Sequence, residues 1–328
     1  MKKNIGRLTI ITLTSLTILS ACSQTEEKED KKSQGISQVI NITSEAQIST
    51  MDPALAADTT STLAMNQVYE GLYILGKDDE FVLGVAKEEP EISEDQTTYT
   101  FKLREDSKWS DGSAVTAQDF VYGWQQIVTP AVGSPNADVM VGVIKNAKEI
   151  YENGADPKTL GVTAIDEHTL KVQLERPVPY LKSLLTFAIF HPKKEAFITE
   201  HGDDYATTSE NILYNGPFVL SNWDVSADKW TYTPNQEYWD KDVVKLETAN
   251  VQVIKTPSTA VNLFESGEVD VVNKLSSEFA KNYKDNESFL PVEQYVTFFL
   301  KLNSERNGKE TPLANQDLRK AIAQSFDK

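Results

Sequence analysis

Trp109-Ser-Asp-Gly-Ser-Ala-Val-Thr-Ala-Gln-Asp-Phe-Val-Tyr-Gly-Trp124 is the stretch from which the fold of this chain is read. It reads as the end of a strand, a turn and the start of a helix. Just before it, Tyr99-Thr-Phe-Lys-Leu-Arg104 alternates apolar and polar side chains, the period of a half-buried strand. Asp111-Gly112 supplies a tight turn, because glycine tolerates the positive φ that such turns often need. Thr116 stands where a helix N-cap belongs, and Asp119 three residues on makes a variant of the capping box. Phe120, Val121 and Trp124 share one face of that helix and should enter a core. None of these side chains is reactive, so the segment points to architecture rather than chemistry.

At the N-terminus, Lys2, Lys3 and Arg7 precede an apolar run, Leu8 to Leu19, of signal-peptide length and too short to span a bilayer comfortably. The run ends at Leu19-Ser-Ala-Cys22, which resembles a bacterial lipobox; cleavage there would remove residues 1–21 and leave Cys22 lipidated. Cys22 is the single cysteine of 328 residues, so an intrachain disulfide and a cysteine-based metal site are both excluded. Residues 22–38 are rich in Glu, Lys, Asp, Ser and Gln without apolar periodicity, the composition of a flexible tether. Hydrophobic residues make up 40% and charged residues 25%, ordinary for a folded domain. Loss of Lys2, Lys3 and Arg7 with the signal would take the net charge from −17 to −20, which disfavours nucleic acid and anionic lipid head groups.

From Val39 a folded domain begins. Val39–Thr43 reads as a strand, Met51-Asp52-Pro53 as the turn leaving it, and Ser61–Leu72 as a helix closed by Gly71. Phe81–Thr100 reads as short strands with acidic loops. Met140–Asn153 has helical spacing; Val162–Ile165 and Thr169–Leu174 read as strands about the turn Asp166-Glu-His168. Pro177–Phe187 reads as an apolar helix ended by His191-Pro192, and Lys193–His201 as a short one. Asn215-Gly216-Pro217-Phe218 opens a strand; Val251–Ile254 reads as a strand, Thr259–Ser266 as a helix, and Gly267–Asp270 as the turn into the next strand. Tyr295–Leu302 reads as a long aromatic strand, and Pro312–Lys328 opens another helix.

Trp-Ser-Asp-Gly, Val-Thr-Ala, Asp-Phe-Val and Trp within 109–124 resemble the signature region of the large extracytoplasmic solute-binding proteins of peptide ABC importers. The resemblance extends over nearly the whole chain after the tether, through Glu70-Gly71-Leu72, Asn215-Gly216-Pro217-Phe218, Trp223 and Asn235-Gln-Glu-Tyr-Trp-Asp240. It implies a mixed α/β (α+β), periplasmic-binding-protein-like two-lobe fold of type II, cluster C-like, with an inserted α+β subdomain. The implied divisions are lobe I at 39–69 and 192–296, the inserted subdomain at 70–191, and the crossover with the start of a second, largely missing lobe at 297–328. A bound oligopeptide, nutrient or pheromone, would lie extended between lobes and pair through its main chain. The lobes would close on it and dock on permease subunits. By alignment with the family, Ala57, Asp58 and Thr59 line the first-lobe side, Asn136 comes from the inserted subdomain, and Asn273, Lys274 and Leu275 stand near the cleft floor. The resemblance implies a monomer without cofactor, anchored through Cys22 to the extracytoplasmic face of the cell membrane.

Enzyme signatures are lacking. His168, His191 and His201 have no metal-ligand spacing and read as surface or loop residues. The sequence contains no Gly-x-Ser-x-Gly elbow, P-loop or dinucleotide-binding glycine pattern. The five tryptophans, Trp109, Trp124, Trp223, Trp230 and Trp239, read as core. Two alternatives stay open: a truncated fragment of such a protein that does not bind, and an anchored secreted enzyme.

Overall fold

A computed structural model describes residues 37–292 and 299–326. The signal segment, Cys22, most of the tether and residues 293–298 of the expected Tyr295–Leu302 strand lie outside the described residues. The chain packs as two compact units. Of the described residues, one contains 37–41 and Gln47–Gln252; the other contains Ile42–Ala46, 253–292 and 299–326. The first strand, β1 (Val39–Ser44), contributes to both.

In the larger unit, α1 (Thr59–Val68) is followed by a hairpin of β2 (Tyr73–Leu75) and β3 (Phe81–Leu83), then by β4 (Glu91–Ile92) and β5 (Thr98–Lys102). The helices α2 (Ala117–Val128) and α3 (Ala147–Asn153) precede β6 (Val162–Asp166) and β7 (Thr169–Gln173). These strands form an antiparallel four-stranded sheet in the order β4-β5-β7-β6. Phe101 pairs with Leu170 and both are buried, so the alternation read at 99–104 marks a face that packs inward. Short helices α4 (Leu181–Leu184) and α5 (Glu195–His201) lead into the antiparallel strands β8 (Phe218–Ser221), β9 (Lys229–Pro234) and β10 (Thr248–Val253).

In the smaller unit, β1 pairs in parallel with β11 (Val271–Val272), Ile42 opposite Val271, and α6 (Pro257–Glu265) lies between them in sequence. There follow α7 (Ser277–Tyr283), a ribbon of β12 (Glu305–Arg306) and β13 (Lys309–Glu310), and α8 (Gln316–Gln324), capped by the Asn315 side chain. Phe299–Leu302 is not in a strand, and Phe299 and Leu300 are exposed. No described helix is long and apolar enough to cross a membrane.

Three helix readings need correction. Of Met140–Asn153 only α3 is helical: Asn146 sits at φ +67, Ile144 bridges to Leu174, and the Val143 carbonyl accepts from the Glu175 amide. Of the apolar residues with that spacing, Ile144 serves a sheet edge, while Ala147 and Ile150 are buried on α3. Of Pro177–Phe187 only Leu181–Leu184 is helical, a short apolar run whose state periodicity cannot settle. The helix expected over Ser61–Leu72 runs from Thr59 to Val68, because the Val68 carbonyl accepts from the Gly216 amide and Glu70 turns to Asn215.

Candidate functional site

The signature segment folds as its residues dictate. Gly112, at φ +84, closes the turn by donating its amide to the Trp109 carbonyl at 2.8 Å, and Trp109 N–H meets the Ser113 carbonyl. The Thr116 hydroxyl accepts from the Asp119 amide, and the Asp119 carboxylate accepts from the Thr116 amide at 2.9 Å, completing the capping box. The same carboxylate takes the Trp109 indole N–H at 3.1 Å, which joins the turn to the helix. Burial pushes the Asp119 carboxyl above its usual range, and the hydrogen bonds from Thr116 and Trp109 oppose that. Phe120, Val121 and Trp124 are buried on the inner face of α2.

This helix fixes the next layer. Trp124 donates its indole N–H to the Phe190 carbonyl at 2.9 Å and meets the Phe190 ring edge-on, centroids 5.1 Å apart. The Asp119 carbonyl accepts from the Lys193 amide at 3.0 Å. At Gly123 a Cβ would stand 2.8 Å from the His191 carbonyl oxygen, so this position must be glycine for segment 191–193 to lie so close. Lys193 then carries its ammonium into the core, with its side chain only 3% exposed, and pairs with Asp52 at 2.6 Å.

Asp52 opens the loop that includes Ala57, Asp58 and Thr59. Its carboxylate also accepts from the Ala54 amide, and its carbonyl accepts from the amides of Leu55 and Ala56. Asn136 reaches this loop from the segment after α2 and donates its side-chain amide to the Ala56 carbonyl at 2.7 Å. Asp58 is the N-cap of α1: its carboxylate accepts from the Ser61 amide and from the hydroxyls of Ser49 and Ser61. Burial pushes that carboxyl up, but these hydrogen bonds outweigh it and hold Asp58 below the usual carboxylate range. Ala57 and Thr59 are exposed. Among the described residues, the Ala57 N–H and C=O and the Asp58 N–H have no hydrogen-bond partner. The structure thus brings together Ala57, Asp58, Thr59 and Asn136. Asn273, Lys274 and Leu275 follow β11 in the smaller unit, where Lys274 forms an exposed ion pair with Glu45 at 3.2 Å.

A second cluster gathers the other family-like motifs. The Glu70 amide donates to the Asn215 side chain, which donates back to the Glu70 carbonyl; Asn235 donates to the Gly216 carbonyl. The Glu70 carboxyl, 1% exposed, accepts from the Tyr238 hydroxyl at 2.5 Å and from the Trp239 indole at 2.8 Å, and the Arg104 guanidinium lies 3.6 Å from the centre of a Trp239 ring. Burial pushes Glu70 up to about 7 against those hydrogen bonds. His191, read from sequence as a surface or loop residue, lies in a loop but is buried, and burial brings it down to about 4. Trp109, Trp124, Trp223 and Trp230 are buried as read, while Trp239 is half-buried. Among the described residues no group of three or more His, Cys, Asp or Glu could hold a metal ion.

These shifts predict the pH dependence of stability. Glu70 binds its proton more tightly folded than unfolded, so its contribution is lost as pH rises from about 4.5 through 7. His191 binds its proton less tightly folded, so its contribution is lost as pH falls from about 6.5 through 4. The two oppose each other where the windows overlap. Relative to Glu70→Gln, the wild type should therefore lose on the order of 3 kcal/mol between pH 4 and 8. Urea denaturation of both proteins across that range measures this, and parallel profiles would contradict it.

The profile of the bacterial extracellular solute-binding proteins, family 5 (middle), matches residues 80–328. The chain belongs to this family. The oligopeptide-binding protein OppA of Bacillus subtilis is 33% identical over 310 residues, 91% of this chain and 54% of that protein. The structure of Listeria monocytogenes OppA bound to peptide superposes with a TM-score of 0.83 at 42% identity, covering 89% of this chain and 57% of that one. That of the pheromone receptor PrgZ, described with its mode of peptide binding, gives 0.84 at 37%, with the same coverage. This family-5 chain therefore has the mixed α/β, periplasmic-binding-protein-like fold, and it spans about half the length of the curated relatives it matches.

Glu70 and Lys193 escaped the sequence reading as site-building residues. Glu70 stood inside a quoted motif and Asp52 inside a quoted turn, but nothing local marks a glutamate or lysine as buried. The motifs that Glu70 meets, at 215–218 and 235–240, lie some 145 positions or more along the chain, and Lys193 follows directly after His191-Pro192.

Proposed function

We propose that this chain is the peptide-capturing component of an ABC importer, held at the extracytoplasmic face of the cell membrane through a lipid on Cys22. The observation that carries this reading is the exposed strip at Ala57–Thr59, held from behind, with main-chain donors and an acceptor left unpaired. A strip of that kind pairs with an extended peptide by strand addition and leaves side chains largely unread, which suits oligopeptides of varied sequence, nutrient or pheromone. Relatives named as dipeptide- and oligopeptide-binding proteins support it. In this reading 70–191 is the inserted subdomain beside lobe I, Asn136 lies at the strip, and Asn273, Lys274 and Leu275 are peptide contacts carried by the smaller unit. The protein works as a monomer and passes its cargo to permease subunits.

Titration calorimetry of the Cys22→Ser protein with a mixed library of short peptides should give heat that free amino acids and sugars do not. Absence of any peptide heat at millimolar ligand would overturn the reading. Coverage of about half of each relative favours a second reading for the 328 residues taken alone: they hold peptide weakly, and submicromolar binding in the same titration would exclude it. Mass spectrometry of the membrane fraction tests the anchor, which an unmodified Cys22 would rule out.

A further inference from the structure

We propose that Lys193 and Asn136 are positioning residues for peptide capture, acting on the Ala57–Thr59 strip through Asp52 and through the Ala56 carbonyl. The inference rests on the peptide-binding reading above and adds to it the machinery that holds the strip ready.

The strip is fixed at three points. At its start, Asp52 is tied to Lys193 at 2.6 Å, and the carbonyl of the preceding Met51 accepts from the buried Tyr69 hydroxyl at 3.1 Å. In the middle, Asn136 holds the Ala56 carbonyl at 2.7 Å. At its end, Asp58 caps α1 and takes the Ser49 and Ser61 hydroxyls. Between the last two anchors lie the unpaired groups of Ala57 and Asp58. A loop whose outward main chain is unsatisfied would otherwise turn those groups to any local partner; anchoring it beforehand lowers the ordering entropy paid on binding. A lysine almost never becomes fully buried unless paired, so its placement behind a solvent-facing loop calls for a reason. The Lys193 amide bond to Asp119 and the contact of Gly123 with segment 191–193 supply one: α2, the signature helix, sets Lys193, and Lys193 sets the loop.

Asn136 gains a role beside the one alignment implies: one side-chain N–H is given to the Ala56 carbonyl, so the residue acts on the ligand through the loop's main chain.

The test uses Asn136→Ala and, because breaking one half of the buried pair endangers folding, the neutral double variant Asp52→Asn/Lys193→Met. Amide exchange without ligand should quicken roughly tenfold or more at Ala54, Leu55 and Ala56 in both variants, with α2 and β5 unchanged. Tetra-alanine should bind roughly tenfold more weakly to Asn136→Ala, whose thermal midpoint should stay within about 4 °C of wild type, as expected for one neutral hydrogen bond in a chain of this size. Tetra-alanine carrying N-methylated amides should bind wild type worse than the unmodified peptide, and that discrimination should shrink in Asn136→Ala; a merely structural role would leave it intact. Unchanged exchange at Ala54–Ala56, or an unchanged N-methyl discrimination, overturns the proposal. If wild type binds no peptide, the functional reading fails, and the exchange data alone decide whether Lys193 and Asn136 position the loop.

Discussion

Lys193→Met should destabilise the protein by about 3–5 kcal/mol at neutral pH, the range for removing one partner of a buried ion pair. The ammonium is nearly inaccessible and stands 2.6 Å from the Asp52 carboxylate, whose side chain is 13% exposed. With Lys193 gone, that carboxylate keeps the Ala54 amide but loses its only charged partner among the described residues. Asp52→Asn added to Lys193→Met should recover a large part of the loss, because no unpaired charge then remains in the interior. Urea denaturation of the two single variants and the double variant measures this directly. A loss below about 1 kcal/mol for Lys193→Met would place the pair in the class of solvent-screened surface bridges and remove the link from α2 to the loop.

Trp124→Ala should destabilise by about 3–5 kcal/mol as well, through a different mechanism. The ring is fully buried, edge-on to Phe190, and its N–H satisfies the Phe190 carbonyl. Truncation opens a cavity under α2 and leaves that carbonyl unpaired in the core. Because Phe190 precedes His191 and Lys193, the variant should also loosen the loop that Lys193 anchors. Chemical denaturation gives the stability change; a value within ~0.5 kcal/mol of wild type would mean that this face of α2 does not organise the core.

Both effects trace to the stretch from which the fold was read, and the parts that were legible share a physical reason. The capping box of Thr116 and Asp119, the Gly112 turn and the inward face of Phe120, Val121 and Trp124 are decided by residues within a few positions of one another. The same holds for the hairpin of β6 and β7 about Asp166-Glu-His168. What could not be read depends on partners far along the chain. The end of α1 at Val68 is imposed by Gly216, some 150 positions away, and the non-helical path near Ile144 by Leu174. Burial of Glu70, His191 and Lys193 likewise follows from packing that no local pattern encodes. At the candidate site, alignment with the family named the strip and Asn136, but it could not say that Asp58 caps α1 or that Asn136 holds main chain. In one case residue type alone signals a role: Asp58-Thr-Thr-Ser61 before an apolar run is a helix-start signature, so the N-cap is readable from the sequence.

Under the proposed function, the Ala57–Thr59 main chain is the part of this chain that meets peptide. Amide hydrogen exchange of the wild-type protein, with and without saturating tetra-alanine, tests it residue by residue. Free, the Ala57 and Asp58 amides should exchange rapidly, since neither has a partner among the described residues. With peptide, protection is expected at one or both of these positions as they pair with the ligand. Binding seen by calorimetry with both amides as unprotected as before would contradict it.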